Sequence, residues 1–318
     1  MNFKKLRYNL LVIGLVALVA CYLGMSFLLS TPANDANGGS NAGDTGIVVP
    51  EPPEDDPGED DPSEVVDLPT DAYKLLAYSL DILNNGKGYE SSFKSSVSNT
   101  ASGVSAVQYM DGKVLRGVNS KGEKVSIEEN YLYSFETGMA GSMVARFFKG
   151  FYENRDTGMT QVGITNSYNY SAQTFDLSTA SRNNVVTTED ALNEFKILQG
   201  LDFPIKINAS TTKITNDDPR GKTYRKITVS VTNFSSLSKN FVEYYSSSGQ
   251  MKDVEYSKIN ITFNINKKTG YIASIVREEA FSATAVGTPL GEIPVSSKVT
   301  TVQTFTNMNK AIALRDSL

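Results

Sequence analysis

Residues 259–276, INITFNINKKTGYIASIV, decide the fold. Ile259, Ile261, Phe263 and Ile265 alternate with Asn260, Thr262 and Asn264, so a strand here has one apolar face and one wet face. NKKTG then breaks the pattern and 271–281 resumes it, which predicts an antiparallel hairpin. Further strands are expected at 205–208, 223–232, 254–266, 271–285 and 295–306, with a frayed C-terminus beyond them.

Upstream the period is also two. Residues 89–97 alternate, 104–109 run into Asp111-Gly112, and 113–118 follow; an Asp-Gly between such runs predicts a second hairpin. Shorter strands are expected at 124–127, 131–135, 151–152 and 160–165. The stretch 138–148, GMAGSMVARFF, reads as a loop or short helix, and 167–184 as loop or edge strand. Turns this short cannot make parallel crossovers, so the blocks are antiparallel meanders.

Two segments have a helical period. In 71–84, DAYKLLAYSLDILN, the residues Leu75, Leu76, Leu80 and Leu83 fall on one face, and Asn85-Gly86 stops the helix. In 187–200 Thr187-Thr188-Glu189-Asp190 supplies a start, Leu192, Phe195 and Leu198 a stripe, and Gly200 an end. The order is helix, meander, helix, meander. The expected class is α+β: a strongly curved antiparallel sheet of about nine to eleven strands, a half-barrel, with two packed helices.

The first 70 residues do not belong to this domain. Residues 8–30 carry no charge and follow Lys4, Lys5 and Arg7. A helix of that length spans about 33 Å, enough for a hydrocarbon core of about 30 Å. The cations orient it with the remainder of the chain outside the membrane. Leu18-Val19-Ala20-Cys21 also matches a bacterial lipobox, in which Cys21 would be lipidated after cleavage; the apolar run continuing past Cys21 favours the spanning anchor. Residues 31–70 hold 11 acids, no Lys or Arg, and 7 of the 11 prolines, the composition of an extended disordered tether. Three segments result: 1–30 anchor or lipoprotein signal peptide, 31–70 tether, and 71–318 an extracytoplasmic domain on a cell envelope of bacterial type.

Composition excludes several functions. The chain has no His, which removes the commonest general base and metal ligand. Its single Cys lies in the apolar stretch, so the exported part has no disulfide and no thiol nucleophile. Residues 71–318 hold 27 cations against 24 acids with no basic run, which argues against nucleic acid. The pairs Glu128-Glu129, Asp217-Asp218 and Glu278-Glu279 are sequence neighbours, and strand neighbours face opposite ways; one of Glu278 and Glu279 must face the core. Ser91 with Lys94, and calcium ligation by Thr215, Asn216, Asp217 and Asp218, are the remaining chemical options; the first sits on a strand rather than at a helix start, and the second lacks the loop spacing of an EF-hand. No cofactor motif is present. The aromatics Tyr168, Tyr170, Phe241, Tyr244 and Tyr245 lie in stretches read as irregular and are the candidate binding residues.

The Leu-rich helix at 73–83, the hairpin 259–276 and the late strand KVTTVQTF at 298–305 together give an order that resembles the LolA-like lipoprotein-carrier superfamily. The resemblance covers about 71–310. It implies a curved half-barrel closed by helices around an acyl chain or another apolar ligand. The expected function is therefore non-enzymatic binding of a lipid-like ligand outside the membrane. The alternative is a structural or protein-interaction component of the envelope, with a hydrolase well behind.

Overall fold

The computed structural model describes residues 67–101, 104–137, 145–165, 168–169, 174–175, 181–183, 212–236, 251–288 and 291–317. Helix α1 (Ala72–Asn85) begins where Asp71 caps it, its carboxylate accepting from the Lys74 N–H at 3.0 Å. Leu75, Leu76, Ser79 and Leu83 form its buried face. Ser79 satisfies its hydroxyl within the helix by donating to the Leu75 carbonyl at 2.9 Å. The helix stops at Gly86, whose N–H donates to the Ile82 carbonyl.

The strands follow in chain order: β1 (Tyr89–Ala101), β2 (Val104–Val118), β3 (Lys124–Thr137), β4 (Ala145–Asn154), β5 (Met159–Thr165), β6 (Tyr168–Asn169), β7 (Thr174–Phe175), β8 (Ser181–Asn183), β9 (Thr212–Asp217), β10 (Tyr224–Val231), β11 (Met251–Asn266), β12 (Ile272–Thr288) and β13 (Gly291–Thr306). Eleven of them make one antiparallel sheet, ordered β8-β5-β4-β3-β2-β1-β13-β12-β11-β10-β9, while β6 and β7 pair separately. Two meanders thus stand back to back, joined where β1 and β13, the first and last strands in chain order, pair. The sheet is not closed among the described residues: β8 and β9 are its edges.

The hairpin of 259–276 forms as its alternation requires. Ile259, Ile261, Phe263 and Ile265 are all at most 2% exposed, and the Asn266 side chain accepts from the Lys268 and Thr269 N–H groups to close the turn. Gly270 sits there at φ 72°, a conformation that favours glycine.

Several expectations are corrected. Asp111-Gly112 is not a turn; it lies mid-strand in β2, opposite Lys94 and Phe93. A Cβ at Gly112 would collide with the Phe93 ring, so the glycine is there to admit an aromatic. Residues 124–127 and 131–135 are one strand, β3. Residues 145–148, expected in a loop or helix, open β4. The C-terminus is not frayed. The Val118 N–H donates to the Ile312 carbonyl and the Leu314 N–H to the Val118 carbonyl, and Asp316 takes both the Ser120 N–H and hydroxyl. The second expected helix, 187–200, and the expected strand at 205–208 lie outside the described residues, as do the anchor and nearly all of the tether. Among the described residues no helix is long and apolar enough to cross a membrane.

The sheet has two apolar regions. The larger covers its inner face from β1 to β12 and on to β10, and α1 packs against it. The smaller is on the outer face, where Val125, Ile127 and Tyr152 are buried with Leu115 and Leu314 packed on them. The C-terminal tail is therefore the cover of that outer patch.

Three arginines fix α1 across one end of the strands. Arg225 of β10 donates to the Thr70 carbonyl at 2.7 Å. Arg116 of β2 donates to the Leu83 carbonyl, and Arg155, just past β4, to that of Asn84. The last two occupy carbonyls that a helix C-terminus leaves without partners, where a cation is also favoured.

Candidate functional site

The register places three rows of side chains across the centre of the inner face. Ser95, Thr301, Arg277 and Ile261 form the first, Val97, Val299, Glu279 and Ile259 the second, and Asn99, Ser297, Phe281 and Tyr256 the third. Strand alternation explains why these residues share a face: they occupy every second position of β1, β13 and β12, and on β11 an irregularity between Tyr256 and Lys258 adds one residue between Tyr256 and Ile259. The face is apolar in outline, yet polar groups cross it along β1 and β13.

Each polar pair has its own geometry. The Ser95 and Thr301 hydroxyls are 2.9 Å apart, Gln303 donates to Ser91 at 2.9 Å, and Ser297 donates to the Asn99 carbonyl oxygen at 2.6 Å. Arg277 Nε lies 2.7 Å from Glu279 Oε1, with the two side chains 8% and 0% exposed. A pair this deep repays its desolvation only through close mutual contact, and losing one member strands the other charge. Asn99 is fully buried, and its Nδ2 has no hydrogen-bond partner.

A second polar group lies under the C-terminal end of α1. The Arg116 guanidinium stands 5.4 Å from the Tyr89 ring centroid, and Tyr89 meets Phe305 edge-on at 5.3 Å. Burial pushes the Tyr89 hydroxyl above its ordinary pKa, against the pull of Arg116 and Arg155, so it stays protonated. Burial and then repulsion from Arg116 lower the pKa of Arg155.

Of the residues singled out from sequence, Tyr168 lies on β6, its backbone paired with that of Phe175. Tyr170, Phe241, Tyr244, Tyr245 and Cys21 lie outside the described residues. The carboxylate pairs separate as alternation requires. Glu279 faces inward to Arg277, while Glu278 lies 3.1 Å from Lys258 on the outer face. Glu128 is buried, and Glu129 meets Arg315 of the tail at 3.0 Å. Ser91 is buried and Lys94 exposed on the opposite face, so they form no dyad. Asp217 ends β9, and Asp218 is held by Lys267 at 2.6 Å, which lowers its pKa first through that hydrogen bond. Among the described residues no group of three or more His, Cys, Asp or Glu is placed to hold a metal ion.

No family model matches the chain. No curated protein matches it either. Among solved structures it is similar to a DUF1329 family protein from Desulfovibrio piger, at 10% identity and a TM-score of 0.23, over 77% of this chain and 93% of that one. It is also similar to a beta-barrel-like protein of the domain of unknown function DUF1849 from Brucella abortus, at 7% identity and a TM-score of 0.16, over 69% and 98%. A third is the MucA/MucB complex of Pseudomonas aeruginosa, at 9% identity and a TM-score of 0.11, over 76% and 98%.

Proposed function

We propose that this is a membrane-anchored extracytoplasmic domain whose sheet curls into a half-barrel and binds an apolar or amphiphilic, lipid-like ligand on its inner face without chemical turnover. The observation that carries the reading is the mixed lining of that face. Aliphatic rows surround an ion pair, Arg277–Glu279, and a band of amide and hydroxyl groups from β1 and β13. Such a surface matches a molecule with an apolar body and a polar end. Of the inward carboxylates, Glu279 is paired with Arg277 and Glu128 is buried opposite Val114, and the chain has no His to act as a base, so the reading assigns no catalytic role. Residues 8–30 hold the domain at the membrane and 31–70 space it away.

A second reading has its own observation. Val97, Val299, Ile259 and Phe281 are each at most 4% exposed, as in a solid core. On that reading the protein is an envelope scaffold that contacts another protein through its surface. Native mass spectrometry of residues 31–318, purified from cells without detergent and followed by organic extraction, separates the two. A lipid-sized adduct supports the carrier. A clean apo mass that takes up no added monooleoylglycerol or oleate sinks it and leaves the scaffold.

A further inference from the structure

We infer that Asn99 is the head-group subsite of this inner face, and that it takes the uncharged oxygen acceptor of an acyl ester or amide rather than a carboxylate or phosphate. The inference rests on the carrier reading above.

The first ground is an unmade hydrogen bond. Asn99 is 0% exposed, and its Nδ2 has no partner. A buried amide donor left unsatisfied is costly, and native structures rarely tolerate one without a use for it. The orientation of the amide is fixed by Ser297, which is also 0% exposed and donates to Asn99 Oδ1 at 2.6 Å. That distance belongs to O–H···O contacts and is short for N–H···O, so the oxygen faces Ser297 and the NH2 group is the free end. Alternation puts that group on the inner face, on the same side of β1 as Phe93 and Val97.

The second ground is charge. Among the described residues of the inner face, Arg277 is matched by Glu279. At the helix end, Arg116 and Arg155 stand in the same electrostatic environment as Glu128 and Glu153 around Tyr89. Arg225, a further cation of this face, is held by the Asn216 side chain and the Thr70 carbonyl at the α1 end of the sheet, and the strand neighbours of Asn99 are Ser297 and Ala106, neither of them charged. A neutral donor beside balanced pairs recognises a carbonyl oxygen. The third ground is the track leading from it. Next along the inner face, about 7 Å along the strand from Asn99, come Val97, Val299 and Ile259, an apolar row, and beyond it stands the polar row of Ser95, Thr301 and Arg277.

The test uses the full chain held in amphipol, with radiolabelled 1-monooleoylglycerol and radiolabelled oleate as paired probes that share one acyl chain. The wild type is expected to bind the ester at least tenfold tighter than oleate. Asn99→Leu is expected to weaken ester binding about tenfold and leave oleate unchanged. The double variant Asn99→Leu with Ser297→Ala removes the whole buried polar pair. It is expected to lose the same ester preference while melting at or above the wild-type temperature, because nothing is left unsatisfied. Equal binding of both probes by the wild type overturns the inference and leaves the carrier reading standing. So does unchanged ester binding by either variant, and so does a lower melting temperature of the double variant with binding intact, the signature of a merely structural pair. Failure of the wild type to take up either probe removes the carrier reading itself.

Discussion

Glu279 and Asp316 carry the same charge and do opposite work. Glu279 is wholly buried against Arg277, so its removal takes a buried carboxylate away from a buried guanidinium. Glu279→Gln is expected to cost about 3–5 kcal/mol in denaturant unfolding, whereas Arg277→Leu combined with Glu279→Leu is expected to recover most of that. A double variant as unstable as the single one would mean the pair is not the cause. Asp316 is exposed, and its pKa is lowered first by the Ser120 hydroxyl and then by the Ser120 N–H. A depressed carboxyl stabilises above its unfolded value and stops doing so as pH falls through its folded value. The tail should therefore stay latched at the ordinary value of 3.8 and release only below it. An NMR titration of the Ser120 amide with a midpoint at or above that value would refute this.

At the scale of elements, the C-terminal tail is the part with the clearest separable role. It covers Val125, Ile127 and Tyr152 with Leu314, and it approaches β2 so closely that a Cβ at Gly117 would collide with the Ile312 carbonyl. Deleting residues 310–318 should cost about 2–5 kcal/mol, in the range of losing a large buried aliphatic and its packing. Gly117→Ala should lower the melting temperature of the intact chain and leave that of the truncated chain unmoved. For α1, Asp71→Ala should cost about 1 kcal/mol through the lost cap, read as faster amide exchange at Lys74.

These elements were unequally legible in the sequence. The hairpin of β11 and β12 was plain because its inner positions are four large apolar residues in strict alternation. Asp111-Gly112 misled because a turn dipeptide and a strand glycine admitting an aromatic look alike until Phe93 is placed opposite. The tail was missed because no periodicity marks a segment held by backbone hydrogen bonds of Ile312 and Leu314 to Val118 and by the packing of Leu314. The subsite was legible in part: counting by twos from Phe93 reaches Asn99, but β1, YESSFKSSVSNTA, reads as a polar strand, and nothing local reveals that Ser297 would meet it from two hundred residues away.

For the whole molecule, the decisive fact is that β1 pairs with β13 in the middle of the sheet. Each meander is built from its own strands, and the pairing that joins them brings together strands from opposite ends of the domain, so folding must close a long loop before those central contacts reward it. Refolding in the millisecond-to-second range or slower is expected. A chain ending at residue 290 should show no cooperative melt, and a sharp transition in that fragment would show that the two halves are independent. The same arrangement decides how the protein answers force. A pull delivered at residue 67 runs through α1 and then along β1, which lies between β2 and β13 along its length. Both ladders are then sheared together, many hydrogen bonds at once, whereas a pull on the edge strand β9 would unzip them singly. If residues 8–30 anchor the domain as proposed, strain enters it where the sheet resists most.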